Sequence, residues 1–222
     1  MSDDTNFMMQ LFDRMASKGF NELAAKFTDQ PEPAMARARE RFEALTETMA
    51  YRDQPDHPMA MSVYFTHVQL AFFLVLRDEG ASAHDYGAAM LAYMTANPRP
   101  LPEEPPTTPP DAFFDAAIAS QSSAKPEEFV FDAERTGDGE NDWVMNIRSC
   151  AICHSFSKHD AMDLVPYMCA TDDVESVHMN QGLHRSGSIA VGATHCDFRF
   201  KRDRETLSLA SQYPDRIRVA AD

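Results

Sequence analysis

Apolar residues recur at helical spacing through the first hundred residues of the chain. Intervals of three and four residues between them predict four successive helices, rich in Ala, Glu, Arg and Met. Gly80 follows the third helix as a C-cap, and Ser82 precedes the fourth as an N-cap. The predicted helices cover residues 6–27, 32–51, 57–80 and 82–97.

Proline is concentrated in residues 98–110, which hold seven of the fourteen prolines of the chain. Such a stretch is typical of a stiff, extended connector and not of a packed element. A further helix is predicted over residues 111–123, with Asp111 as its cap.

The pattern changes after Lys125 to short apolar runs that favour strands. Gly137 and Gly139 mark a turn, so the two strands around them are predicted to form a hairpin. A helix is predicted over residues 152–168, and Gly192 separates two later strands. The fold class is therefore predicted as α+β, a helical N-terminal part followed by a small antiparallel sheet with one or two helices. The predicted strands cover residues 129–131, 143–147, 183–191 and 194–200. The predicted parts are 1–97, helical; 98–110, the connector; and 111–222, the α+β part with all the cysteines.

The chain is acidic, with a formal net charge of −15. This charge disfavours binding to nucleic acid and to anionic membrane surfaces, which attract Lys and Arg. The apolar stretch 59–76 contains Ser, Thr, His and Gln and is predicted to be a buried helix, not a membrane span. The first residues, MSDDTNFMMQ, do not resemble a secretory signal, so we expect a cytoplasmic protein with reduced thiols.

Chemically reactive side chains are concentrated in residues 150–196, which hold all four cysteines and five of the eight histidines. A thiolate is a strong nucleophile, a histidine can accept its proton, and a carboxylate can orient or stabilise that histidine. His57, His67 and His84 lie in the helical part and are predicted to be capping, core or surface residues. The residues of interest are Cys150, Cys153, His154, His159, Cys169, Asp172, Asp173, His178, His184, Arg185, His195, Cys196 and Asp197.

Each of these residues also has a structural interpretation. Cys150 and Cys153 form a Cys-x-x-Cys pair, but a zinc site would need a second close pair. Cys169 lies on an apolar helical face and can be a core residue. Cys196 lies on a predicted strand, so its neighbours His195 and Asp197 are expected to point to the opposite face unless the strand bulges.

The C-terminal part resembles the L-2-amino-thiazoline-4-carboxylic acid hydrolase family. The resemblance rests on Cys150, on the Cys-Ala-Thr-Asp step that ends at Asp172, on Asn180, on Arg185 and on a closing strand. That strand reads GATHCDFRF over residues 192–200. The resemblance spans roughly residues 143–202, and residues 68–91 resemble the helix–Gly–Ser–helix segment of the family.

The resemblance implies a hydrolase that acts on carbon–nitrogen bonds other than peptide bonds in a small amidine, amide or cyclic C–N/C–S substrate. Within this hypothesis we expect Cys196 to be the nucleophile, with Cys150 and Cys169 lining the same pocket. Asp172 would be the acid/base. The further candidates are Asp197 and His195 for catalysis, and Arg185 and Asn180 for substrate binding.

Two other hypotheses remain open at this point. A sensor or binding module could hold zinc or iron with Cys150, Cys153, Cys169 and Cys196, whereas the hydrolase interpretation requires no metal or cofactor. An accessory subunit could carry the same cysteines merely as core residues. For the hydrolase we expect a small-molecule substrate, no nucleic acid and no membrane, with homo-oligomerisation left open.

Overall fold

The fold is α+β, as predicted, with helices first and a four-stranded antiparallel sheet after them. It is seen in a computed structural model that describes residues 3–16, 19–98, 110–121, 125, 127–137 and 139–218. Most of the predicted Pro-rich connector, residues 99–109, lies outside these ranges, as does Asp138 of the predicted turn. The helices of the first part are α1 (Asp3–Ala16), α2 (Phe20–Ala24), α3 (Pro31–Thr46), α4 (Ala60–Asp78) and α5 (Ala83–Ala96).

The predicted helix over 6–27 is divided into α1 and α2, so this prediction was wrong in its continuity. Gly19 lies directly before α2, and a Cβ atom at this position would collide with the ring of Tyr93 from α5. The packing of α5 against residue 19 therefore requires a glycine there, a contact that local spacing could not reveal.

The predicted caps around residue 80 are confirmed. Gly80 has a φ of 103°, its N–H donates to the Arg77 carbonyl, and the N–H of Ala81 donates to the Leu76 carbonyl. This is the Schellman arrangement that closes a helix. Ser82 Oγ accepts the N–H of Asp85 at 3.1 Å and opens α5.

Helix α4 is long and apolar enough to cross a membrane by length and composition. Within the described residues it is the one helix with that property, and 72% of its apolar window is buried in the protein. Its environment is thus that of a core helix, in agreement with the predicted buried helix.

The second part begins with α6 (Pro110–Ser120), followed by β1 (Val130–Arg135) and β2 (Trp143–Ser149). These strands pair in antiparallel register, which confirms the predicted hairpin. The sheet order is β1-β2-β4-β3, with β3 at Leu183–His184 and β4 at Cys196–Phe200. A short helix, α9 (Leu209–Gln212), comes last among the described elements.

Two predictions in this part were wrong. The predicted helix over 152–168 is divided into α7 (Ala151–Ser157), a 3-10 turn (Met162–Leu164) and α8 (Val165–His178). Asp160 has a φ of 51°, which a continuous helix excludes, and Arg77 of α4 donates to its carbonyl. The predicted strand over 183–191 survives only as β3, because its later backbone N–H groups bond to side chains instead of a neighbouring strand.

One hydrophobic core joins the helical part to the α+β part. His67, on α4, crosses this boundary and is 1% exposed. Its Nδ1 lies 2.8 Å from the Val63 carbonyl, so Nδ1 carries the hydrogen, and Nε2 then accepts the hydroxyl of Ser155 at 2.7 Å. His67 is therefore a core histidine, one of the roles predicted for it, and burial lowers its pKa to about 4.

The depressed pKa makes stability pH-dependent. The unfolded chain binds a proton at His67 near pH 6.5, whereas the folded chain resists protonation until about pH 4. The contribution of neutral His67 to the free energy of unfolding is therefore fully present above the unfolded pKa of 6.5, and it is lost as the pH falls towards about 4. We expect the free energy of unfolding to fall by about 2 kcal/mol between about pH 7 and about pH 5 through His67 alone.

Urea unfolding at both pH values measures this effect. The His67→Gln variant should lose that share of the pH dependence, whereas His154→Gln, at an exposed position, should retain it. An unchanged pH dependence in His67→Gln would contradict the assignment.

Candidate active site

The register of the sheet brings two cysteines to one end of it. Ile147 of β2 pairs with Cys196, the first residue of β4. The chain beyond Ile147 therefore passes the start of β4 and reaches Cys150, which caps α7 by accepting the N–H of Cys153. Cys196 is 4% exposed, and its neighbour Phe198 is buried on the same face of the strand.

Helix α8 supplies the third cysteine and two carboxylates. Cys169, Asp172 and Asp173 follow one another along it, and Arg185 packs against them from the loop after β3. The pKa values of Cys169 and Cys196 both respond to the charges of Cys150, Asp172 and Arg185, which shows that these groups lie within electrostatic reach of one another. We call Cys150, Cys169, Cys196, Asp172 and Arg185 the thiol–carboxylate cluster.

Arg185 is a fully buried cation, 2% exposed. Its Nη1 donates to Asp172 at 3.0 Å, and its Nη2 donates to Asp173 at 2.7 Å and to the Cys169 carbonyl. Its guanidinium carbon also lies 5.2 Å from the centre of the Phe198 ring, within cation–π range. Burial disfavours the charge, but the two carboxylates outweigh it and keep the pKa of Arg185 above its usual value.

The two aspartates that hold Arg185 differ in access to solvent. The side chain of Asp173 is 9% exposed and also accepts the N–H of Leu209 at 2.7 Å. The side chain of Asp172 is 46% exposed and accepts only from Arg185 among the hydrogen bonds of the described residues. The surrounding protein nevertheless raises the pKa of Asp172 to about 6, since desolvation exceeds the opposing charge of Arg185.

The three thiols of the cluster are neutral near pH 7. A hydrogen bond with the Cys153 thiol, together with burial, raises the pKa of Cys150, and burial raises that of Cys169. Burial raises the pKa of Cys196 to about 11, while the N–H of Ile189, 3.3 Å from its sulfur, acts in the opposite sense. Two cluster thiols thus accept a backbone N–H, Cys196 from Ile189 at 3.3 Å and Cys150 from Cys153 at 3.5 Å.

Asp197 lies beside Cys196 but serves the opposite face of the strand. Its Oδ1 accepts the N–H groups of Ser186 and Gly187, both at 3.0 Å, and its Oδ2 accepts the Ser186 hydroxyl at 2.7 Å. Burial would raise the pKa of Asp197, but these donors outweigh it and hold the pKa below its usual value. Asp197 therefore fixes the loop that presents Ile189 to Cys196, and its oxygens are occupied in this role.

Two other predicted site residues lie away from the cluster. His195 is exposed and contacts the hydroxyl of Thr194, as strand alternation predicts for a neighbour of a buried Cys196. Asn180 has a φ of 52° and follows α8, where the N–H of Gln181 donates back to the Ser176 carbonyl. This is a helix C-cap, about 12 Å along the helix axis from Asp172 at about 1.5 Å per residue.

The predicted substrate-binding role of Arg185 is also constrained by the structure. Its two terminal nitrogens are committed to internal acceptors, and Nε is buried without a partner among the described residues. The arrangement supports a positioning and electrostatic role for Arg185.

The alternative of a cysteine metal site finds no matching geometry. Within the described part of the chain, which includes all four cysteines, no group of three or more His, Cys, Asp or Glu side chains could hold a metal ion. Cys153 instead forms a hydrogen bond with Cys150 at the start of α7.

Sequence reasoning missed the importance of Asp173 and Ser188. Asp173 was among the residues of interest but received no role; two adjacent acids on a helix, with an arginine downstream, were the available signal. Ser188 is fully buried, and its hydroxyl contacts the Cys169 sulfur at 3.7 Å. Nothing in its sequence context distinguishes it from a loop serine.

Comparison with known proteins supports the predicted resemblance. Residues 102–200 match the family model described as L-2-amino-thiazoline-4-carboxylic acid hydrolase. The match includes the whole thiol–carboxylate cluster and the closing strand. No curated protein and no solved structure gave a match.

The different burial of the two aspartates generates a stability prediction. Asp173→Asn leaves Arg185 buried with one carboxylate lost, and we expect a loss of about 3 kcal/mol in the free energy of unfolding. Asp172→Asn removes the charge of a half-exposed partner whose ionised form the fold disfavours, and we expect a loss below about 1 kcal/mol. Denaturant unfolding of the two isosteric variants measures both values, and equal losses would contradict this account of Arg185.

Proposed function

We propose, on the premise that residues 102–200 belong to the L-2-amino-thiazoline-4-carboxylic acid hydrolase family, that this protein hydrolyses a small cyclic amidine. The substrate class has a reactive carbon bonded to nitrogen and sulfur, as in the thiazoline of the family name. The observation that carries the proposal is the half-exposed Asp172 carboxylate, which Arg185 holds at 3.0 Å in the same cluster as the Cys196 thiol.

Asp172 has the properties of a general base near neutral pH. A base is most effective when its pKa lies near the working pH, because it is then ionised and still binds a proton readily. Its exposure leaves room for a substrate to approach, whereas Asp173 is enclosed. Arg185 keeps Asp172 in place and favours negative charge on the neighbouring sulfurs.

The proposed first step is attack by Cys196 on the amidine carbon. Asp172 accepts the thiol proton as the sulfur–carbon bond forms, which avoids a free thiolate of high pKa. The bond between that carbon and the ring sulfur then breaks, and the proton on Asp172 passes to the departing sulfur. The substrate is now an S-amidino group on Cys196 with an open ring.

Water completes the reaction in the second step. Asp172, again ionised, accepts one proton of water as the water oxygen adds to the S-amidino carbon, and the former ring nitrogen takes up a proton from solvent. Asp172 then gives its proton to the departing Cys196 sulfur, while the added oxygen loses its hydrogen to solvent and becomes the urea carbonyl. The product carries a urea group, and one water molecule is consumed in total. For L-2-amino-thiazoline-4-carboxylate the product is N-carbamoyl-cysteine. Cys150 and Cys169 are proposed to line the substrate site.

A first test measures release of N-carbamoyl-cysteine from L-2-amino-thiazoline-4-carboxylate by the purified protein. Cys196→Ala should abolish turnover, and Asp172→Asn should lower kcat about a hundredfold or more. Val177→Ala is the control on the same helix as Asp172, since this side chain is 67% exposed and lies outside the cluster, and it should retain activity.

The covalent role of Cys196 and the overall reaction are tested by different results. Unchanged activity in Cys196→Ala, with its folded circular dichroism spectrum retained, would overturn the covalent assignment. No turnover of the thiazoline or of related cyclic amidines by the wild-type protein would overturn the proposed reaction.

The raised pKa of Asp172 also generates a pH prediction. The carboxylate form is the active base, so kcat/KM should rise with pH through about 6 and then level off. Residual activity in Asp172→Asn should lack this rise. A wild-type profile already flat from about pH 4.5 upward would contradict Asp172 as the base, since an ordinary aspartate is ionised there.

A further inference from the structure

Two thiols, neither of which is the proposed nucleophile, lie next to each other where β2 passes into α7. Cys150 and Cys153 are both free and both partly exposed. The sulfur of Cys150 accepts the backbone N–H of Cys153 at 3.5 Å, and the two thiols form a hydrogen bond with each other. The two sulfur atoms are therefore neighbours in the folded protein, and the cysteines are not merely close in the sequence.

The backbone between the two cysteines already has the geometry that a disulfide requires. The N–H of His154 donates to the Cys150 carbonyl at 3.0 Å, so residues 150–154 form a helical turn. Residues three apart in an α-helix have Cα atoms about 5 Å apart, and disulfides join Cα atoms about 4.4–6.8 Å apart. A disulfide between Cys150 and Cys153 thus requires rotation of the side chains, and the backbone can keep its path.

The other two cysteines lie on separate elements and have other contacts. Cys196 of β4 is 4% exposed, and its sulfur accepts the N–H of Ile189. Cys169 of α8 has its sulfur in contact with the buried hydroxyl of Ser188 at 3.7 Å. A reagent from solvent therefore reaches Cys153 more readily than it reaches Cys196.

We propose that Cys150 and Cys153 are a redox site, which forms a disulfide reversibly by exchange with a low-molecular-weight disulfide such as oxidised glutathione. The proposal does not rest on the proposed hydrolysis. Because Cys150 also belongs to the thiol–carboxylate cluster, oxidation of the pair removes one thiol hydrogen from that cluster.

The exchange takes place in two steps. The partly exposed Cys153 attacks one sulfur of the small disulfide, and the first small thiol leaves with the proton of Cys153. The Cys150 sulfur then attacks the sulfur of Cys153, and the second small thiol leaves with the proton of Cys150. Two protein thiols are oxidised to one disulfide, and one small disulfide is reduced to two thiols.

The test maps the thiols of the full chain after equilibration in glutathione buffers. The buffers differ in the glutathione ratio, which is the squared concentration of the thiol divided by the concentration of the disulfide. Free thiols are blocked with N-ethylmaleimide, and tryptic peptides are analysed by mass spectrometry. Trypsin cleaves after Lys and Arg, so Cys150 and Cys153 share the peptide of residues 149–158, whereas Cys169 and Cys196 lie on two other peptides.

In the oxidising buffers the 149–158 peptide of the wild type should lose its label and become two hydrogen atoms lighter than the reduced, unlabelled peptide. Dithiothreitol should reverse this change. The ratio of oxidised to reduced pair should change about tenfold for each tenfold change in the glutathione ratio, as a two-electron couple requires.

Two variants separate this site from the proposed hydrolysis. Cys153→Ser, or Cys153→Ala if the serine variant fails to fold, should abolish the lighter peptide. Cys196→Ala is the matched control, and it should form the disulfide as the wild type does, although the proposed hydrolysis is lost in it.

Any of three results, obtained while the wild-type chain keeps its folded circular dichroism spectrum, would contradict the inference. They are a 149–158 peptide that stays fully labelled in the most oxidising buffer, a disulfide that joins Cys150 to Cys169 or to Cys196 instead, and a lasting glutathione adduct on Cys153 beside a labelled Cys150. Since the readout is the mass of a peptide, a failure of the proposed hydrolysis leaves this result unaffected.

Discussion

The arrangement of the candidate site depends on one buried cation. Arg185 is enclosed by α8 and β4 and bonds to Asp172, Asp173 and the Cys169 carbonyl. A buried guanidinium is tolerated only when its partners are close and well oriented. This requirement fixes the loop after β3 against α8, while the pairing of β2 with β4 brings Cys196 to the end of the sheet where Cys150 lies.

The same interaction creates the chemical asymmetry of the site. Asp173 is enclosed and serves the fold, whereas Asp172 remains half exposed and has a pKa of about 6. Cys196 receives a backbone N–H from a loop that its own neighbour, Asp197, holds in place. Because successive side chains of β4 point to opposite faces, the Cys196 thiol faces the cluster, whereas Asp197 faces the loop that contains Ser186 and Gly187.

The sequence predicted what local chemistry determines. The end of α4 at Gly80, the cap at Ser82, the hairpin and the closing strand follow from capping and alternation. The division of residues 152–168 and the short β3 depend instead on contacts from Arg77 and Asp197, which are distant in sequence. Asn180 was predicted in the site from the family resemblance, whereas in the fold it lies at the C-cap of α8.

The ionisation of Asp172 tests the proposed chemistry most directly. That chemistry requires a carboxylate that hydrogen-bonds to Arg185 and still has a pKa of about 6. Carboxyl carbon NMR of isotopically labelled protein can follow this group, with Asp172→Asn used to assign its signal. We expect one aspartate signal, absent from the variant, to titrate at about pH 6. Titration of that signal at or below about pH 4, the value of an ordinary aspartate, would contradict the account.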